Sequence, residues 1–186
     1  MAFSINPGIW PVMITPWTED NKPDFKAIKG LVDWYVEKGC AGIFAMCQSS
    51  EMAFLTPQEK LDIAKATADA VDGRIQVVAS GHTADDKATQ FKELEDMMQI
   101  KGIGAYVLVS NRLDQKNEGE AVFEANAQEI FDRYPEIDFG IYECPMPWKR
   151  LVSTEFLRHA GEQGRMVFLK DTCCDYELVR QRQAAV

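Results

Sequence analysis

The sequence predicts an α/β protein built around a parallel sheet. Short apolar segments alternate with amphipathic helical patterns six times, at intervals of about 30 residues, which is the spacing of strand-helix-strand units. The apolar segments are nearly continuous, as expected for parallel strands covered on both faces. The six predicted strands are residues 9–16, 41–46, 75–80, 104–109, 139–142 and 166–170.

Length and composition predict one globular domain, residues 1–186. The chain is 46% hydrophobic and 26% charged, which is ordinary for a folded domain. Its net charge of -9 repels phosphate backbones and anionic lipid surfaces. We therefore expect neither nucleic acid nor a membrane as a partner.

The N-terminal sequence shows no basic segment leading into an apolar one, so a cytoplasmic location is expected. Five cysteines are an odd number, and the adjacent Cys173 and Cys174 fit no common zinc spacing. We expect reduced, mostly buried thiols. Only two histidines are present, so no metal centre is predicted.

Helix start signals follow the predicted strands. In the first unit the strand contains Pro11 as an irregularity, and Asp24 is placed as the N-cap of the helix. After the second strand, Thr56, Pro57 and Glu59 supply an N-cap, a proline at the first helical position and a capping box.

The later units repeat this pattern. Thr83 and Asp86 are spaced as a capping box for the third helix, and the fourth helix is expected from about residue 118 to 133. The N-caps expected for the last two helices are Ser153 or Thr154, and Asp175. No glycine or proline ends the last helix before Val186, which suggests a chain cut short.

Two architectures use this repeat: a doubly wound open sheet and an eight-stranded barrel. No G-x-G-x-x-G sequence follows the first strand, so the main reason to prefer a dinucleotide-binding sheet is missing. The barrel requires eight units, and six are predicted.

In either architecture the functional residues lie at the carboxyl ends of the strands. These positions are rich in hydroxyls, and Lys170 follows four apolar residues there. Burial at a strand tip would disfavour the ammonium and favour a nucleophilic amine. A hydroxyl-lined pocket with one lysine suits carbonyl chemistry through a Schiff base.

Each candidate also has an ordinary structural role open to it. A lysine at a strand exit commonly extends to water, and Tyr142 fits a half-buried core position with its hydroxyl at the rim. Ser49 and Ser50 could cap local backbone groups. For the side chains of Arg112, Lys149 and Arg150, the ordinary role is exposure to solvent. The functional alternative is that they bind a carboxylate group of the substrate.

Several segments together resemble one family. The matching residues are 8–9 and 15–16, the loop 47–51, Ser80-Gly81-His82-Thr83, Ile141-Tyr142 with Pro145, and Leu169-Lys170-Asp171. The specific part is the Tyr-x-x-Pro sequence one unit before a strand-ending lysine. This pattern resembles the dihydrodipicolinate synthase and N-acetylneuraminate lyase family of pyruvate-dependent class I aldolases.

The resemblance implies a TIM (β/α)8-type barrel and reversible carbon-carbon bond chemistry. Lys170 corresponds to the Schiff-base lysine for pyruvate or a related 2-oxo acid, and Tyr142 to the residue that relays protons. Ser49 and Ser50 match the region that binds the carboxylate of the 2-oxo acid. No metal or organic cofactor is implied.

Other positions depart from the family pattern. Gln48 stands where a relay hydroxyl is expected, and Asn111 and Arg112 replace a tyrosine pair. The arginine expected after the Tyr-x-x-Pro sequence is shifted to Lys149 or Arg150. We include Gln48, Arg112 and Arg150 among the expected substrate-binding residues.

A barrel of this type takes about 250 residues, so this chain predicts an incomplete barrel with unpaired strand edges. A homo-oligomer, dimer or tetramer, would cover such edges. The alternative function is that of a catalytically incompetent fragment that acts only as an assembling or binding protein.

Overall fold

The structure is a computed structural model that describes residues 3–186. Met1 and Ala2, which carry part of the expectation about the N-terminal sequence, lie outside the described residues. The strands are β1 (Gly42–Ala45), β2 (Gln76–Ala79), β3 (Ala105–Val109), β4 (Phe139–Tyr142) and β5 (Met166–Lys170). The helices are α1 (Phe25–Glu37), α2 (Pro57–Val71), α3 (Lys87–Met98), α4 (Ser110–Leu113), α5 (Glu120–Arg133), α6 (Thr154–Glu162) and α7 (Tyr176–Ala185).

The chain forms two compact units, an N-terminal unit of residues 4–106 and a C-terminal unit of residues 107–186 with Phe3. In the N-terminal unit, β1 pairs in parallel with β2, and β2 pairs in parallel with the start of β3. All four residues of β1 are buried. The unit's largest fully buried side chains are Met13, Ile28, Ile43, Phe44, Met46, Ile63, Leu94 and Met97.

The predicted first strand is reduced to a single bridge. Val12 pairs in parallel with Phe44, and the amide of Met13 donates to the carbonyl of Phe44. Pro11 accepts a hydrogen bond from the amide of Phe44 but has no N–H to donate in return. The six-strand prediction is therefore wrong by one within residues 3–186, because a proline in the middle prevents a continuous ladder.

The helix N-termini of this unit follow the sequence signals with one exception. Asp24 caps α1, and Thr56 with Glu59 forms the predicted capping box of α2. The predicted capping box at Thr83 is wrong, because α3 begins at Lys87 with Asp86 as its N-cap. Thr83 instead binds the carboxylate of Glu93 through both its amide and its hydroxyl.

The C-terminal unit contains β4 paired in parallel with β5 and the helices α4 to α7. Asp175 is the N-cap of α7, as predicted, and Ser153, one of the two predicted positions, is the N-cap of α6. The helix α4 was not predicted, and α5 begins at Glu120 after Gly119, a position with a φ of 116° that favours glycine. The core of the C-terminal unit includes Leu108, Leu113, Phe123, Phe139 and Ile141.

The strands follow one another in the sheet in the order β1-β2-β3-β4-β5. A doubly wound sheet reverses its strand order at a switch point, whereas a (β/α)8 barrel keeps the order of the sequence. The fold is therefore that of an incomplete barrel of the TIM type. Within residues 3–186, no helix is both long enough and apolar enough to cross a bilayer.

Candidate active site

The two candidate catalytic residues end neighbouring strands of the C-terminal unit. Tyr142 is paired in register with Lys170, so their side chains lie on the same face of the sheet. The Lys170 Nζ atom lies 4.3 Å from the centre of the Tyr142 ring. An ammonium at this distance from an aromatic face is held by a cation–π interaction. The structure thus brings together the pair that the sequence predicted.

The environment of Lys170 differs from the expectation of a buried strand tip. Every residue of β5 is partly exposed, whereas every residue of β4 is buried. Within residues 3–186, the Lys170 Nζ atom has no carboxylate within ion-pair distance. Lys170 is therefore a partly exposed residue whose amine has the Tyr142 ring as its close neighbour.

A cluster of charged groups that is largely buried lies beside this pair. Glu143 directly follows Tyr142, Asp171 directly follows Lys170, and Arg182 of α7 binds both carboxylates. The Arg182 Nη2 atom donates to Glu143 at 2.6 Å and to the carbonyl of Val152 at 2.5 Å, and its Nη1 atom donates to Asp171. Arg182 is 3% exposed and Glu143 is fully buried.

Hydrogen bonds in the cluster favour the charged forms of Asp171 and Arg182. Burial by itself raises the pKa of Asp171, but hydrogen bonds from Cys173 and Arg182 outweigh it and hold that pKa below its usual value. For Arg182 the two effects have the opposite signs. Burial by itself lowers the pKa of Arg182, but its bonds to Glu143 and Asp171 outweigh burial and raise that pKa above its usual value. These bonds therefore favour the protonated guanidinium.

Asn111 holds the loop that follows Tyr142. Its side-chain amide donates to the carbonyls of Cys144, Met146 and Trp148 at 3.0, 2.9 and 2.7 Å. The Asn111 Oδ1 atom is buried and accepts no hydrogen bond within the described chain. One asparagine thus fixes the proline-rich loop that leaves β4.

The two arginines expected to bind substrate lie in different surroundings. Arg150 forms ion pairs with Asp114 at 3.1 Å and with Glu120 at 2.8 Å, and its guanidinium lies 4.9 Å from the centre of the Phe123 ring. Arg112 lies on α4 and is partly exposed. Because the donors of Arg150 are engaged by its carboxylate partners, substrate contact would require it to exchange them.

The loop expected to bind a carboxylate lies in the N-terminal unit. Gln48, Ser49 and Ser50 form a short 3-10 helix in which Gln48 and Ser49 are exposed. The buried Ser50 hydroxyl donates to the carbonyl of Met13 at 2.7 Å and accepts from the amide of Cys47. Ser50 therefore caps one local backbone group, at Cys47, as its structural alternative predicts, and also binds the backbone of Met13, which is 37 residues away. The grouping of this loop with Lys170 in one site stays a prediction.

Arg182 is the residue that the sequence reasoning missed. A signal for it was present, because Arg182 is spaced four and three residues after Leu178 and Val179 on the predicted helix. This spacing places a charged residue on the apolar face, where it needs a buried partner. Within residues 3–186 no group of three or more His, Cys, Asp or Glu side chains is arranged to hold a metal ion.

A family comparison covers the larger part of the chain. Residues 6–132, more than half of the chain, match the model of the dihydrodipicolinate synthetase family. The chain belongs to this family. The match ends before Tyr142 and Lys170, so it does not test these two residues.

Curated relatives of the family are similar but longer. Over 145 residues the chain is 28% identical to a 4-hydroxy-tetrahydrodipicolinate synthase of Lactobacillus acidophilus, which covers 78% of this chain and 45% of the relative. The chain thus spans about half the length of that relative.

Solved structures share the fold of this chain. The dihydrodipicolinate synthase of Acinetobacter baumannii, solved as a complex with pyruvate, has a TM-score of 0.83 at 21% identity. The match covers 96% of this chain and 60% of that one. A Ruminococcus gnavus sialic acid aldolase, solved as a catalytic lysine mutant, has a TM-score of 0.81 at 13% identity, with 96% and 58% covered.

Proposed function

We propose that this chain carries the Schiff-base chemistry of a class I lyase or aldolase that acts on pyruvate or a related 2-oxo acid. The observation that carries the proposal is the pairing of Lys170 with Tyr142, at 4.3 Å between the amine and the ring centre. Family membership supports the reaction class, and the pyruvate complex of the Acinetobacter enzyme supports the substrate class.

The proposed chemistry begins at the Lys170 amine. The amine attacks the 2-oxo carbon, and loss of water gives an iminium that withdraws electrons from the adjacent methyl carbon. Loss of a proton from that carbon gives an enamine, which forms or breaks a carbon-carbon bond. Tyr142, directly beside the amine, is proposed to relay the protons of these steps.

Substrate binding is proposed for the residues that resemble the family's carboxylate site. Gln48 and Ser49 have exposed side chains, and we propose that they bind the carboxylate with the backbone around Ser50. Arg112 and Arg150 complete the proposed set. We further propose that the active form is a homo-oligomer and that the reaction needs no metal or organic cofactor.

Reductive trapping tests the proposal. The chain is incubated with pyruvate and cyanoborohydride, and peptides are mapped by mass spectrometry. We expect a stable adduct on Lys170 that is absent from Lys170→Arg. Lys116→Arg, which replaces an exposed lysine of the same unit, should keep the adduct.

The same experiment separates the proposal from its alternative. A well-folded chain without any adduct on Lys170 would support a catalytically incompetent fragment. No feature of residues 3–186 favours that alternative over the enzyme.

A further inference from the structure

Arg182 contacts the residue that follows each of the two candidate catalytic residues. Successive residues of a strand point to opposite faces of the sheet. Tyr142 and Lys170 therefore share one face, and the next residues, Glu143 and Asp171, turn to the other face and meet Arg182 there. A single guanidinium thus connects the ends of β4 and β5.

We propose that Arg182 is a positioning residue for the Schiff-base reaction, which sets the position of Lys170 relative to Tyr142 by holding Asp171 and Glu143 together. This inference rests on the proposed function. Arg182 touches neither Tyr142 nor Lys170 in the hydrogen bonds and ion pairs described, so it acts through the two carboxylates.

The carboxylate of Glu143 is the centre of the arrangement. It accepts hydrogen bonds from the amides of Val152 at 2.8 Å and Thr172 at 2.9 Å, in addition to that from Arg182. The Thr172 hydroxyl donates to the carbonyl of Glu143 at 2.7 Å, and the amide of Glu143 donates to the carbonyl of Lys170 at 3.2 Å. Glu143 is therefore bound to both residues that flank Asp171.

An arginine suits this role better than a lysine. The planar guanidinium presents several donors in a rigid fork and can hold two carboxylates at a set separation, whereas an ammonium is a single flexible point of charge. The partly exposed β5 has less packing to fix its end than the buried β4. The position of Lys170 therefore depends on polar ties such as this one.

The effect on the reaction follows from geometry. A displacement of about 1 Å between reacting groups can reduce a rate about 100-fold without changing what is bound. Loss of the Arg182 tie should therefore slow Schiff-base formation at saturating pyruvate. The half-saturating pyruvate concentration should stay unchanged, because no proposed carboxylate-binding residue is altered.

The test compares Arg182→Lys with the control Arg180→Lys. Arg180 is a neighbouring arginine of α7, and among the described residues its only ion pair is with Glu177 on the exposed surface. Trapping rates are measured over a range of pyruvate concentrations and expressed per folded molecule, with folding followed by circular dichroism. We expect the maximal rate of Arg182→Lys to fall by about 10- to 100-fold. Arg180→Lys should match the wild type.

A second variant covers the case in which a single substitution leaves a buried charge unpaired and the chain fails to fold. Glu143→Gln combined with Arg182→Met removes both charges while keeping an acceptor for Val152 or Thr172. If positioning is the role, the folded double variant stays slow. A maximal rate equal to that of the wild type in either folded variant would overturn the inference. Failure of both variants to fold would also overturn it, because Arg182 would then serve stability alone.

The same experiment distinguishes a failure of the proposed function from a failure of this inference. Absence of the adduct in the wild type overturns both. An adduct in the wild type together with an equal rate in Arg182→Lys overturns only the role of Arg182.

Discussion

The ring and the hydroxyl of Tyr142 are expected to have different roles at Lys170. The ring makes the contact with the amine, so Tyr142→Phe should leave Lys170 in place. The hydroxyl is the proposed proton relay, and its removal should slow the exchange of the pyruvate methyl protons with deuterated water by about 10²- to 10⁴-fold. This exchange reports enamine formation and is followed by NMR without any acceptor aldehyde.

Tyr106→Phe is the matched control for that experiment. Tyr106 is a buried tyrosine of β3 in the N-terminal unit, where burial raises the pKa of its phenol. The variant Tyr106→Phe should leave the exchange rate of the pyruvate methyl protons unchanged. An equal loss of rate in both variants, or no loss in Tyr142→Phe, would contradict the relay.

Asp171 makes the stability of the chain depend on pH. Its folded pKa lies below the unfolded value of 3.8, because hydrogen bonds from Cys173 and Arg182 outweigh the effect of burial. The carboxylate therefore contributes stability above pH 3.8, and this contribution is lost as the pH falls through the folded pKa.

The replacement Asp171→Asn should remove that part of the pH dependence. Thermal unfolding midpoints measured from pH 6 down to about pH 3 should fall less steeply in the variant than in the wild type. Asp86 also has a lowered pKa, from hydrogen bonds with Thr89, so Asp86→Asn shows how much an N-cap carboxylate alone contributes. A wild-type slope in Asp171→Asn would contradict the assignment.

The contact between β4 and β5 depends on a glycine. A Cβ atom added to Gly140 would lie 2.9 Å from both the Cβ and the carbonyl oxygen of Phe168, closer than side chains pack. Gly140→Ala should therefore push the strands apart, at a cost of about 1–3 kcal/mol in the free energy of unfolding. The displacement should also reduce the trapping rate at Lys170, two residues further along the paired strands.

Gly161→Ala provides the comparison for this element. Gly161 lies within α6, and an added Cβ atom would meet Val186 at an ordinary 3.6 Å. Alanine is preferred over glycine in a helix by about 0.5–1 kcal/mol, so this variant should be at least as stable as the wild type in urea unfolding. Equal stability of the two variants would show that β5 can move away at no cost.

Local signals predicted the helices better than they predicted the strands. The N-caps Asp24, Thr56, Ser153 and Asp175 were found from the sequence, because a cap bonds to amides two or three residues away. Thr83 failed as a cap because Glu93, ten residues later, binds it instead. A contact over that separation depends on how the chain folds, not on local spacing.

For the molecule as a whole, the expectation is a dimer or tetramer. In residues 3–186, β5 is the last strand of the sheet, and a groove of about 320 Å³ beside it is lined by Met166, Phe168 and Val179 among others. An uncovered strand edge with apolar neighbours favours association. Size-exclusion chromatography with light scattering should give twice or four times the mass of 21.0 kDa, and a stable monomer would contradict this.

The sequence by itself determined the α/β class and the family, and it predicted the pair Tyr142 and Lys170. These follow from the repeat of strands and helices and from a short motif, which are local properties of the chain. The strand order, which distinguishes a barrel from a doubly wound sheet, became visible only in the structure.

Only the tertiary structure decided how β5 is exposed and what surrounds the candidate site. Arg182 meets Asp171 and Glu143 over separations of 11 and 39 residues, and it does so because α7 packs against α6 and brings Arg182 to these two carboxylates. A buried guanidinium needs carboxylate partners that the fold brings to it, because an unpaired buried charge is strongly destabilising. No spacing in the sequence specifies such partners.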